Sequence, residues 1–145
     1  HAVAVAWRLR VRVKWIDEFL ANYLYLLALK NALPELYPKA KTWGLLLAHL
    51  TPNESSLGSY ETKPKGLADQ LWFQGQFTVE AAKVAEEGGD TLLKGLLGAA
   101  PLSKRTVHKL LVGLEPGLKE WFASFAPKRE RLEAPTDAVT WENLG

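Results

Sequence analysis

The sequence predicts a mixed α+β fold: a single domain over residues 1–145, mostly helical, with a small sheet containing a long N-terminal strand. Residues 2–15 alternate apolar side chains with small or basic ones on a period of two, as a half-buried strand does. Residues 71–78 repeat the alternation, and much of the remaining chain places apolar residues at helical spacing between proline and glycine punctuation. A chain of 145 residues, 48% hydrophobic and 23% charged, is globular in composition and long enough to bury a substantial core.

In the first strand Val3, Val5, Trp7, Leu9, Val11, Val13 and Trp15 occupy one face, while Ala2, Ala4, Ala6, Arg8, Arg10, Arg12 and Lys14 occupy the other. The four cations would stand in a row about 7 Å apart, close to the spacing of phosphates along an extended nucleic-acid strand. A first helix follows, with Ile16, Phe19, Leu20, Tyr23, Leu24 and Leu27 on one side and Asp17 and Glu18 near its positive end. Pro34 and Pro38 interrupt it, and Trp43 to Leu50 reads as a second, short helix with His49 at its end. Residues 51–66 are polar, rich in proline and glycine and without period, so a mobile surface loop is expected there.

Leu71, Phe73, Phe77 and Val79 alternate with Trp72, Gln74, Gln76 and Thr78 as a second strand, with Gly75 marking a bulge or a close approach. Trp72, on its polar face, is a candidate platform for stacking a base. Residues 79–87 read as a helix stopped by Gly88 and Gly89. Beyond residue 115, Leu118, Trp121, Phe122 and Phe125 share a helical face, PKRER is basic, and residues 134–145 form an irregular tail in which Val139 to Trp141 suggests a short edge strand.

Residues 90–114 read as two short amphipathic helices joined by a turn. Val107, Leu110, Leu111 and Leu114 form an apolar stripe, Ser103 is a candidate N-cap, and Pro101 discourages continuation of the preceding helix. Lys104, Arg105, His108 and Lys109 project from the opposite side. This hairpin, LSKRTVHKLL above all, resembles the helix-turn-helix of DNA-binding proteins, in which the N-terminal part of the second helix faces the major groove. The resemblance implies that Leu92, Leu93, Leu96 and Leu97 belong to a supporting helix. Ser103, Lys104, Arg105, Thr106, His108 and Lys109 would then form the recognition surface. Pro101 and Leu97 depart from the family's usual glycine and small residue.

Catalytic and cofactor chemistry is not visible. The glycines lack a phosphate-binding pattern, no serine has an identifiable histidine and carboxylate partner, and the absence of cysteine excludes disulfides and thiolate metal sites. No catalytic residue, metal site or cofactor is expected. The longest uncharged apolar run, residues 19–29, falls short of a membrane span, so a soluble, cytoplasmic protein with no membrane partner is expected. The absence of methionine suggests a trimmed, tagged, recombinant or designed chain.

A net charge of +2 leaves the placement of cations as the strongest functional signal. The expected function is non-catalytic binding of DNA or RNA, through residues 103–109 and the row Arg8, Arg10, Arg12 and Lys14. One rival is a structural or protein-interaction module, an assembly subunit or engineered scaffold, with a homo-oligomer or protein partner. The other is a small-molecule binder whose pocket lies between the first helix and the 51–66 loop, lined by Tyr23, Leu27, Trp43 and Leu47.

Overall fold

Phe73 and Phe77 are four residues apart, and Ala81, Val84 and Ala85 continue their line at helical spacing; all five are buried. That longer stripe decides the local structure over the two-residue alternation at 71–78, and the segment folds as the middle of a 22-residue helix. The computed structural model describes residues 8–125. Among these residues the elements are α1 (Lys14–Ala32), α2 (Tyr37–Ala48), α3 (Leu57–Thr62), α4 (Leu67–Gly88), α5 (Thr91–Ala99), α6 (Val107–Leu114) and α7 (Leu118–Ser124).

The expected α+β class is therefore corrected: the described residues contain no strand, and the domain is helical. Residues 2–7 of the expected first strand lie outside the described residues. Among the described residues its second half is not a strand, since Arg8 is helical, residues 9–13 run as an irregular lead-in and α1 begins at Lys14. The alternation still records burial, with Leu9 and Val11 in the core and Arg8, Arg10 and Arg12 exposed. Arg12 turns the chain through the left-handed region at φ 62°, and the Val11 N–H donates to Asp17 Oδ1 at 2.8 Å, fixing the entry into α1.

α4 is the central post, flanked by α1 and α2. Between α1 and α4 a polar ladder joins Asn22, Gln74 and Thr78: Asn22 Nδ2 donates to Gln74 Oε1 at 3.3 Å, and Thr78 Oγ1 donates to Asn22 Oδ1 at 2.9 Å. α2 begins earlier than the sequence suggests, because proline is tolerated in a helix's first turn, where its missing N–H has no partner to lose. It lies so close to α4 that a Cβ on Gly75 would fall 2.3 Å from the Ala48 backbone nitrogen, and one on Gly44 2.5 Å from Thr78 Cγ2. Of the two readings of Gly75, the close approach is the observed one.

Residues 57–62, within the stretch expected as a loop, form α3. Its N-cap is Ser56, whose Oγ accepts from the Ser59 N–H at 3.0 Å, and its Tyr60 is buried against Phe73 at 4.8 Å between ring centroids. Asp69 is also buried, and its carboxylate accepts from the Asn53 N–H at 2.7 Å, which anchors the segment before α3 to the first turn of α4. α4 stops at Gly89, with φ 57° and an N–H donated to the Ala85 carbonyl, as the glycine pair suggests. α7 closes the far side, stacking Phe125 on Phe73 and setting Trp121 5.1 Å from Phe19. The basic PKRER stretch and the suggested edge strand at 139–141 lie outside the described residues.

Candidate functional site

The cations expected to form a row along a strand face have separate settings. Lys14 is tied to α3: its backbone N–H donates to Glu61 Oε1 and its Nζ to the Glu61 carbonyl, each at 3.2 Å. Arg8, Arg10 and Arg12 are exposed, Arg8 in helical conformation and Arg10 and Arg12 on the irregular lead-in. Without a strand the regular phosphate-like spacing is lost, and that part of the expected site is corrected.

The second cluster is split between a turn and a helix. Seven residues, 100–106, separate α5 from α6, and Ser103, Lys104, Arg105 and Thr106 all fall within them. Ser103 does not cap α6. Its Oγ accepts from the Arg105 N–H at 3.2 Å, and its carbonyl accepts from Thr106 and Val107, a local turn in which the serine side chain competes for backbone donors. Thr106 stands at the N-cap position without a side-chain hydrogen bond. His108 and Lys109 lie on the first turn of α6. The close approach of the two helices comes from Gly95, where a Cβ would meet Leu114 Cδ2 at 2.6 Å.

One contact joins the two clusters. The His108 ring packs on Phe122 at 4.6 Å and faces the edge of Trp15, the residue after Lys14, at 6.4 Å. Lys109 meanwhile borders a shallow, mainly apolar hollow of about 350 Å³ with Thr106, Leu110, Gly113 and Leu114. Trp72, expected as an exposed platform, is half-buried, edge-on to Phe73 and Phe125.

The residues named for a small-molecule pocket differ in exposure. Tyr23 and Leu27 are core residues, whereas Trp43 points outward and is 63% exposed. The Tyr23 hydroxyl is engaged in the turn after α4, donating to the Gly89 carbonyl at 2.8 Å and accepting from the Leu93 N–H at 3.1 Å. His49 is exposed at the C-cap of α2. Among the described residues no group of three or more histidines, aspartates or glutamates is placed to hold a metal ion. No described helix is long and apolar enough to cross a membrane.

The surface that sequence reasoning missed is the outer face of α2. This helix is packed the opposite way round from most surface helices: its small residues Gly44 and Ala48 meet α4, so its large ones face solvent. Trp43 and Leu46, at 63% and 57% exposure, are joined by Leu36, Leu45 and Leu50. Pro38, Lys39, Thr42, Trp43 and Leu46 enclose a shallow hollow of about 330 Å³ on this face. Tyr37, on the inner side, donates its hydroxyl to the Ala82 carbonyl at 3.4 Å, and burial raises its pKa to about 12, so it stays a neutral donor near neutral pH. The signal was present in the sequence as spacing: Tyr37, Gly44 and Ala48 recur on one side of a helix, and Leu36, Trp43, Leu46 and Leu50 on the other.

Compared with known proteins, the chain matches no family model, no curated protein and no solved structure.

Proposed function

We propose that the chain is a helical protein-interaction domain that works through the outer face of α2. The observation that supports this reading is the exposure of Trp43 and Leu46 on a helix whose opposite side is locked against α4, flanked by exposed Leu36 at its N-cap and Leu50 just past its C-cap. Single exposed apolar residues are ordinary, whereas a contiguous apolar patch on a rigid element marks a surface that another molecule covers. Its rigidity also lowers the entropy lost on binding. A fluorescently labelled, uncharged amphipathic helix with leucines at heptad spacing tests the reading by titration against the full chain. Saturable binding lost on Trp43→Glu is expected; binding indifferent to that change would remove the assignment.

A second reading, contact with DNA or RNA, is favoured by the Trp15–His108 contact, which joins the helix ends bearing Lys14 and Lys109. In this reading the phosphate contacts come from Lys104, Arg105 and Lys109, with the cations of the lead-in beside them. Titration of labelled single- and double-stranded oligonucleotides at two salt concentrations tests it. Salt-dependent binding weakened by Arg105→Ala or Lys109→Ala is expected, each removing about one unit of salt slope. No binding at low salt would discard it.

A further inference from the structure

Leu36, Lys39, Trp43, Leu46 and Leu50 follow one another by three, four, three and four residues, the spacing of a seam along which two helices pair; Lys39, Trp43 and Leu46 lie on α2, with Leu36 at its N-cap and Leu50 just past its C-cap. We propose that this face of α2 pairs with the same face of a second copy of the chain, the two α2 helices running antiparallel about a two-fold axis near Trp43. The proposal rests on the interaction-domain reading above and names its partner.

Charge supports a second copy in this orientation. The first turns of α2 carry Lys39 and Lys41, no acidic residue stands in its first turn, and no basic residue stands in its last. Both ends of the helix dipole are therefore poorly compensated by the helix itself. Lys41 is neutralised within the chain by Glu86 at 2.7 Å, but among the described residues Lys39 makes no ion pair. In an antiparallel pair centred on Trp43, Lys39 of each copy lies opposite residue 47 of the other, beside the negative end of the facing helix. Both copies gain the same contact. The two Lys39 positions are then eight residues apart along the axis, about 12 Å at 1.5 Å per residue, beyond most of the screening length in physiological salt. A parallel pair would bring the two lysines together.

Area and shape agree. At 150–250 Å² for a whole aromatic side chain, and somewhat less for leucine, the exposed fractions of Leu36, Trp43, Leu46 and Leu50 amount to roughly 400 Å² of apolar surface. A stable interface takes about 800 Å² from each partner, a little over half of it apolar, so this face supplies nearly the whole apolar share. The hollow bounded by Lys39, Trp43 and Leu46 offers a seat for a leucine of the facing helix. A two-fold axis requires one surface to be its own complement, and a seam with Leu36 and Leu50 equally far from Trp43 meets that condition.

Sedimentation velocity of the full chain, from about 1 to about 200 μM, tests the proposal in the range where interfaces of this size dissociate when weak. A concentration-dependent dimer is expected, weakened at least tenfold by Trp43→Glu and several-fold by Lys39→Glu, with circular dichroism unchanged because both side chains are on the surface. The chain has no cysteine, so Leu36→Cys chains mixed with Leu50→Cys chains report orientation directly. Mixed 36-to-50 disulfides are expected. A monomer throughout the range, a dimer indifferent to Trp43→Glu, or disulfides joining only like positions would each overturn the proposal. A monomeric chain that still binds the heptad-leucine helix through Trp43 would overturn the second copy alone, whereas a monomer that ignores that helix would remove the interaction-domain reading as well.

Discussion

Gly75 of α4 sits under the backbone of α2 at Ala48, where an added Cβ would fall 2.3 Å from the Ala48 nitrogen and 2.7 Å from the Leu47 carbonyl carbon. The contact is backbone on backbone, so a methyl group has no flexible side chain to displace and must push the helices apart. Because the same crossing turns the large side chains of α2 outward, one glycine helps to set both the core and the exposed face.

Gly75→Ala is therefore expected to lower stability by about 3 kcal/mol, the upper part of the range for overpacking, as read by denaturant unfolding. Gly44→Ala meets Thr78 side-chain atoms at 2.5 and 2.7 Å and costs less, about 1–2 kcal/mol, since a side chain yields more readily than a backbone. Gly113 has no heavy atom within 4 Å of an added Cβ and lies inside α6. Gly113→Ala is thus the control and should raise stability by about 0.5–1 kcal/mol through helix propensity. Equal losses at all three positions would refute the close crossing.

Tyr23 connects α1 to the start of α5 by a single hydroxyl that donates to Gly89 and accepts from Leu93. Its ring is fully buried, and its pKa is raised, chiefly by burial. Tyr23→Phe keeps the packing and removes both hydrogen bonds, leaving the Gly89 carbonyl and the Leu93 N–H without that partner. A loss of about 1–3 kcal/mol is expected from thermal or denaturant unfolding, with faster amide exchange at Leu93. Unchanged exchange there would show that the hydroxyl does not tie the two elements.

How much of this was legible depended on whether one period dominated its window. α1 reads directly from Ile16, Phe19, Leu20, Tyr23 and Leu27, all of them buried, and α7 from Leu118, Trp121 and Phe125. At 71–78 the short window held Phe73 and Phe77, a spacing of four that satisfies both periods, and only the continuation to Val84, three residues past Ala81, separates them. At 8–13 the alternation correctly marked Leu9 and Val11 as buried, yet burial of alternate residues does not make a strand without a neighbour to pair. α2 was hardest, because it is apolar nearly all round and its buried side is the one with the small residues. Hydrophobicity alone points Trp43 inward; the close packing at Gly44 and Gly75 turns it out.

Glu80 is the acid this core accommodates least comfortably. It is 8% exposed on α4, and burial raises its pKa; Lys83 partly opposes the shift, and Glu87 and Glu115 add to it. A carboxyl whose folded pKa lies above its unfolded value favours the folded state most when it is protonated. Its contribution is fully present below the ordinary value of 4.5 and is lost as pH rises through the raised folded value. Above that raised value the ionised group therefore weakens the fold. Glu80→Gln should make the protein more stable than the parent at pH 7, with the advantage shrinking as pH falls toward the ordinary carboxyl range. Denaturant midpoints of both proteins across that range measure the difference, and a constant difference at every pH would show that ionisation of Glu80 is not its source.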